Sequence, residues 1–338
     1  MKILVTGGAG YIGTHTSVEL LKSGHEVIVV DNLSNASKIA LDRVKQISGK
    51  DITFYEVDLL DKKALSEVFD KEDIDAVIHF AALKAVGESV QKPLLYYENN
   101  ITGTLNLLEV MSDHNVKNIV FSSSATVYGS PKVVPIDESA DLSTTSPYGS
   151  TKLMVEDILK DIHTADNDWN IVILRYFNPI GAHESGLIGE DPKGIPNNLV
   201  PYITQVAVGN LEHLSVFGDD YDTPDGSGVR DYIHVVDLAV GHVDALKRLN
   251  KGDGVSVYNL GTGIGYSVLD LVKAFSDVVG KQIPYVINDR RPGDIATVYA
   301  DAHKAKEEIG WVAQRDLKTM CQDSWRWQSN NPNGYEEK

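Results

Sequence analysis

The chain has 338 residues, with 31 lysines and arginines against 48 aspartates and glutamates, a formal charge of −17. That charge repels phosphate backbones and anionic lipid and excludes a broad nucleic-acid or membrane-surface role, so an anionic small molecule would need a local basic pocket. The single cysteine, Cys321, leaves no partner for an intramolecular disulfide and no thiolate metal cluster, which suits a reducing compartment.

The chain is long enough for about two domains. Met1-Lys2 is followed by only three apolar residues before Thr6-Gly7-Gly8, which is not a signal-peptide pattern, and no apolar run is long enough to cross a bilayer. A cytoplasmic protein is expected. Lys2–Thr6 is a short β-branched apolar run. A helical stretch follows from Tyr11 to Ser23, with Gly24 where a helix stop belongs. Glu26–Asp31, Ile52–Val57, Asp75–Phe80, Asn118–Ser122 and Trp169–Phe177 are further apolar runs separated by helical segments. Short continuous runs of this kind read as strands buried on both faces, so the alternation predicts an α/β fold with a Rossmann-type doubly wound parallel sheet. After Asn178 the texture changes. Pro, Gly, Asn and Asp become frequent, and the readable helices are Leu199–Val208, Val235–Leu249 and Val268–Val279. This predicts a dinucleotide-binding domain over 1–177, to which later segments return, and a smaller irregular lobe over 178–338. Asn330–Lys338 reads as a loosely held polar tail.

Directly after the first strand comes Thr6-Gly7-Gly8-Ala9-Gly10-Tyr11-Ile12-Gly13. Glycine is wanted here because the turn is tight, a pyrophosphate must approach the backbone, and the helix packs close to the strand. The helix N-terminus then offers unpaired N–H groups to the phosphates. A glycine triplet alone is an ordinary turn. Here the motif follows a strand, opens a helix, and the second strand ends in Asp31, whose carboxylate can accept both ribose hydroxyls and would repel a 2′-phosphate. NAD is therefore favoured over NADP. Asp58, after the third strand, is a candidate for the adenine edge or equally a loop cap. Gly261-Thr262-Gly263-Ile264-Gly265 has no acidic-ended strand after it and reads as a turn.

Ser146-Pro147-Tyr148-Gly149-Ser150-Thr151-Lys152 is the sharpest signal. Ser146 suits a helix N-cap and Pro147 the first helical position. Tyr148 and Lys152 then share a helix face at i and i+4. A cation beside a phenol favours the phenolate, so Tyr148 is a candidate general base. Ser122-Ser123-Ser124 end the strand before it, at the crevice where doubly wound sheets bind ligands, and Ser124 could bond the substrate oxygen whose proton moves. The ten histidines show no metal-binding spacing. His79 and His234 read as satisfied structural residues, and Cys321 as packing.

These motifs, with Asp31-Asn32-Leu33, the stretches 79–92, 121–129, 174–181, 194–202 and 228–238, and Arg290–Asp294, run through essentially the whole chain. Together they resemble the extended short-chain dehydrogenase/reductase family, and within it the enzymes that epimerise C4 of UDP-hexoses. The resemblance implies interconversion of UDP-galactose and UDP-glucose on tightly held NAD. The tyrosine takes the 4-hydroxyl proton, a 4-keto sugar turns over in the pocket, and hydride returns to its other face. Carried over, Tyr148, Lys152 and Ser124 are catalytic. Gly7, Gly10, Tyr11, Ile12, Gly13, Asp31, Asn32, Asp58, Leu59, Phe80, Ala81, Lys84, Asn99, Ser122, Tyr148, Lys152 and Phe177 match cofactor positions. Substrate positions are Ser124, Thr126, Tyr148, Asn178, Asn198, Leu199, Phe217, Arg230, Arg291, Asp294 and Val298, and the two arginines supply the needed basic pocket for the diphosphate. Val298 departs from the tyrosine of members restricted to plain hexoses, so UDP-N-acetylglucosamine and its galacto epimer are expected to fit. A one-residue slip would place Tyr299 there instead. The resemblance also implies a homodimer through helices around Asn99–Met111 and Tyr148–Leu159. A nucleotide-sugar 4,6-dehydratase is the nearest rival, but Val127-Tyr128 stand where its acidic pair belongs. A catalytically silent NAD-binding regulatory protein is the rival from another class.

Overall fold

The computed structural model describes residues 1–335 apart from Ile195, Asn197, Asn250, Lys251, Asp253, Pro292 and Gly293. Parts of the 194–202 and 290–294 stretches, and the last three residues of the expected tail, thus lie outside the described residues. The first half alternates as its periodicity predicts. It runs β1 (Lys2–Thr6), α1 (Tyr11–Lys22), β2 (Glu26–Asp31), α2 (Lys38–Ser48), β3 (Thr53–Glu56), α3 (Lys62–Lys71), β4 (Ala76–His79), α4 (Val86–Gln91), α5 (Pro93–Tyr97), a π-helical turn (Glu98–Thr102), α6 (Gly103–Asp113), β5 (Asn118–Ser122), a 3-10 turn (Ala125–Tyr128), α7 (Pro147–Ala165) and β6 (Asn170–Tyr176). The second half holds β7 (Asn178–Ile180), α8 (Leu199–Val208), β8 (Leu214–Phe217), β9 (Val229–His234), α9 (Val235–Leu249), β10 (Val255–Leu260), β11 (Gly265–Ser267), α10 (Val268–Val279), β12 (Tyr285–Asn288), β13 (Thr297–Val298), α11 (His303–Ile309) and α12 (Leu317–Asn330).

Seven parallel strands form one sheet in the order β10-β6-β5-β4-β1-β2-β3. β1, β4, β5 and β6 are apolar along nearly their whole length because helices cover both faces. One core packs α1, α2 and α9 against the sheet, and a second packs α3, α6 and α7 on the other face. Not everything after residue 178 leaves this sheet. β10 pairs with β6, and α9 packs on α1. The remainder builds small sheets around β9, which pairs with β7, β11 and β13, and a β8–β12 pair, with α8, α10 and α12 around a third core.

β1 lies between β2 and β4, so the order of the sheet reverses there, and the crevice outside the strand ends at that point is where doubly wound sheets bind ligands. The loops after β1 and β4 meet at this crevice. Gly7 takes φ +67°, and a Cβ on it would lie 2.8 Å from the Ala81 amide nitrogen. A Cβ on Gly13 would lie 2.4 Å from the Gly7 carbonyl oxygen. These two positions therefore require glycine for close approach.

Candidate active site

A cavity of about 790 Å³ opens at the crevice. Gly7, Gly10, Tyr11, Ile12 and Gly13 form its floor at the start of α1, whose N-cap Gly10 offers no side-chain cap. The N–H groups of that first turn are therefore available to an anion. Asp31 ends β2 at the cavity wall. Its carboxylate accepts from the Ala9 amide at 3.0 Å and the Leu33 amide at 2.8 Å. Burial outweighs those bonds and raises its pKa. Asn32 donates to Asp58 at 2.9 Å, and Asp58 also caps the Leu60 amide, so it is both a loop cap and a cavity residue. Leu59, Phe80, Ala81, Lys84, Asn99, Tyr148, Lys152 and Asn198 line the same space. A glycine cradle that rejects a Cβ, an uncapped helix start and a carboxylate at the second strand end fit a dinucleotide without a 2′-phosphate.

Ser146 caps α7 by accepting from the Gly149 amide at 3.2 Å, and Pro147 follows at the first position, so Tyr148 enters the cavity at the start of the helix. Ser124 and Tyr176 face its hydroxyl. Ser124 accepts from the Thr126 amide at 3.2 Å and the Thr126 hydroxyl at 2.9 Å. Both of those contacts use its lone pairs, so its single proton points onward. Burial pushes the Tyr148 phenol well above its ordinary pKa and Tyr176 adds to this, while Ser124 and the Lys84 charge pull it down.

Lys152 is buried at the same cavity wall. Its ammonium donates to the Ser122 carbonyl at 2.7 Å and lies 4.9 Å from the Phe121 ring centre. Burial pushes its pKa down to about 7, against the pull of Glu156. It shares a helix face with Tyr148, and the Lys84 charge also bears on the phenol in this pocket.

Ser122 lies behind the cavity wall. Its hydroxyl faces His242 at 3.2 Å, and His242 bonds the Leu238 carbonyl through Nδ1 at 2.9 Å, so Nε2 is the acceptor for Ser122. Tyr176 lines the cavity beside Tyr148, with Ser122 near its hydroxyl. Phe177 is buried in a cluster with Val127, Tyr128, Ile136 and Ala300, against which Val298 packs.

The substrate candidates gather around β9. Val298 pairs with Arg230 across β13 and β9. Arg230 lies 4.0 Å from Asp294, which accepts from Arg291 at 2.9 Å, and the Arg291 guanidinium lies 4.7 Å from the Phe217 ring centre. Asn178 starts β7, and Leu199 starts α8 at the edge of the third core. Tyr299 lies against Gly265.

Several cavity residues escaped the sequence reading. Tyr176 belongs to a strand read only as core. Glu190 and Lys193 come from a loop with no periodic signal; Lys193 reaches back to the Leu33 and Ser34 carbonyls at 3.0 and 2.9 Å. Tyr335 corrects the reading of a loose tail. It is buried, its hydroxyl is hydrogen-bonded at Gly189, and its amide donates to Asp191 at 2.9 Å. An aromatic in an otherwise polar terminus was the available signal. The glycine-rich 261–265 segment is a turn whose amides and Thr262 hydroxyl bind the buried Asp231 carboxylate. His79 bonds Thr6 and Thr104, and His234 pairs with Asp323. No group of metal ligands occurs among the described residues, and no helix among them is long and apolar enough to cross a membrane.

The sequence pattern of the family described as GDP-mannose 4,6 dehydratase matches residues 4–324. This chain belongs to the extended short-chain dehydrogenase/reductase family, in its NAD-dependent epimerase/dehydratase group. Among members of the family, it is 67% identical to a UDP-glucose 4-epimerase of Bacillus subtilis over 335 residues, 99% of each chain. It is 56% identical to a human UDP-glucose 4-epimerase, covering 99% of this chain and 98% of the other. A crystal structure of the Bifidobacterium longum UDP-glucose 4-epimerase with NAD+ and UDP superposes with a TM-score of 0.96 at 60% identity, covering 99% of this chain and all of that one.

Proposed function

We propose that the chain interconverts UDP-galactose and UDP-glucose through a 4-keto sugar, with NAD as a resident cofactor. The observation that carries this reading is that Tyr148, with Ser124 bearing on its phenol, lines the cavity that also holds the glycine loop and Asp31. Bound NAD supplies the acceptor and donor for the hydrogen at sugar C4. The glycine loop and the first turn of α1 would hold its pyrophosphate, Asp31 and Asn32 its adenosine ribose, and Asp58 and Leu59 its adenine.

The chain's own part is proton movement and positioning. With both lone pairs of Ser124 taken by Thr126, its hydroxyl donates toward the phenol or the sugar 4-oxygen. Tyr148 removes the 4-hydroxyl proton and gives it back to the 4-oxygen once the keto sugar has turned. Its burial keeps the proton on the phenol in the free pocket, so cationic help is needed for it to act as a base. Lys84 provides part of that charge, and Lys152 holds the strand end behind the phenol. Arg230 and Arg291 grip the diphosphate, bidentately where geometry allows, while Phe217 stacks beside Arg291. A firm grip on the nucleotide and a loose one on the hexose leave the keto sugar free to turn.

The dehydratase reading is disfavoured at a specific place. Val127 and Tyr128, where an acidic pair would be needed, are buried in the core. A silent regulatory role does not explain why Tyr148 and Lys152 line the cavity with Ser124 beside the phenol. We further propose a homodimer. Val86, Val90, Leu94 and Leu95 on α4 and α5, Leu105 on α6 and Met154 on α7 are exposed apolar side chains on neighbouring helices. Val298 leaves room for an N-acetyl group, and the lone buried cysteine suits a cytoplasmic setting. The deciding experiment incubates the purified protein with UDP-galactose and no added NAD. UDP-glucose should appear. Failure to form it, with or without added NAD, overturns the proposal.

A further inference from the structure

The loop between β7 and α8 brings one carboxylate into the cavity from the substrate lobe. Glu190 is fixed from behind, where its carbonyl accepts from the Trp327 indole at 3.2 Å. The preceding Gly189 donates to the Tyr335 hydroxyl at 3.1 Å, and a Cβ on Gly189 would lie 2.3 Å from the Trp327 ring. The backbone at this point therefore has little freedom. From that anchor, Oε1 of Glu190 accepts from Lys84 at 2.9 Å and from Asn198 at 2.8 Å. Lys84 follows β4 on the cofactor side, and Asn198 stands at the start of α8 on the substrate side, its side chain making no cap bond to the helix.

We propose that Glu190 is a positioning residue that couples the cofactor-side Lys84 to the substrate-side Asn198 through one carboxylate oxygen. The chemistry follows from the partners. A lysine has a flexible four-carbon stem and an asparagine amide can rotate, so neither is placed by its own backbone. A shared acceptor on a rigid anchor places both donors before ligand arrives, which lowers the ordering cost of binding. Glu190 also sustains the charge on Lys84. Burial works against that ammonium, but Glu190, with a smaller contribution from Tyr148, more than offsets it.

This inference rests on the epimerase reading and is tested in the NAD-containing protein with Glu190→Ala, Glu190→Gln, Lys84→Met and the Lys84→Met/Glu190→Ala double variant. Glu190→Ala should raise KM for UDP-galactose about tenfold, with bound NAD and the melting temperature unchanged. Gln keeps an acceptor for Asn198 and should bring KM back to within about threefold of wild type. In kcat/KM the double variant should be no worse than the worse single variant by more than about twofold, because contacting partners are not additive. Equal losses for Ala and Gln, or additive losses with Lys84→Met, overturn the role of Glu190. A wild-type protein that makes no UDP-glucose overturns the epimerase reading itself, and the inference with it; additive losses on an active wild type overturn the inference alone.

Discussion

On the cofactor side the protein offers mainly backbone, and on the substrate side it offers mainly side chains. Gly7, Gly10 and Gly13 shape the floor of the cavity where two strand-end loops meet, and their positions follow from strand order and close packing. Phe217, Arg230, Arg291, Asp294 and Val298 are joined to one another by charge, ring contact and strand pairing around β9. The Arg291 side chain is 56% exposed. A backbone cradle is preorganised and cannot relax, whereas a side-chain grip can open and close. That contrast suits a cofactor that stays and a substrate that must enter, turn and leave.

The sharpest way to break the contrast is a matched pair of substitutions. Gly13→Ala places a methyl where the Gly7 carbonyl already lies. The purified protein should lose its bound NAD, read by absorbance and by release on denaturation, and nearly all activity with it. Arg291→Met should raise KM for the UDP-hexose about tenfold while NAD content stays at the wild-type level, since one exposed charge-assisted contact is lost. If Gly13→Ala retains NAD, or Arg291→Met loses it, the division between the two sides is wrong.

A smaller effect sharpens the cofactor side. Lys152 is charged in the unfolded chain up to a pKa near 10.5, but burial lowers it to about 7 in the fold. Below about pH 7 both states hold the proton and the fold bears the full cost of burying it. Between about 7 and 10.5 the unfolded chain binds the extra proton, so that cost shrinks as pH rises. Lys152→Met should therefore melt higher than wild type, with the widest gap near pH 6 and little gap above pH 10. It should also abolish epimerisation. A gap that does not change with pH would show that the ammonium is not what the fold pays for.

Legibility in the sequence follows the same division. The α/β class, the parallel strands and the helices Leu199–Val208, Val235–Leu249 and Val268–Val279 could be read because burial on two faces and helix caps leave local patterns. The glycine loop, Asp31 and the Ser146–Lys152 helix start were legible because each is set by local backbone geometry. Tyr176, Glu190, Lys193 and Tyr335 were not, because a strand core, a patternless loop and a polar terminus reach the cavity only through tertiary packing. The partners of the two lysines were hidden for a related reason. Helix spacing places Tyr148 and Lys152 on one face, but it cannot show that Lys152 turns to the Ser122 carbonyl while Lys84 arrives from another loop.

The smallest expected effect concerns substrate choice and bears on the side-chain half alone. Val298 is half-buried on β13, paired with Arg230 and packed against the cluster that contains Phe177. Tyr299, one residue on, lies against Gly265 instead. A tyrosine at 298 would add an aromatic ring where the structure has two methyl groups, and a bulk change of that kind in a pocket discriminates by about tenfold or more. Val298→Tyr should therefore cut activity on UDP-N-acetylglucosamine about tenfold relative to UDP-glucose, with bound NAD unaffected. The ratio is the quantity to measure, since a general loss of packing lowers both activities together. An unchanged ratio would remove Val298 from the sugar pocket, and the acetamido group would then have to be accommodated by another wall.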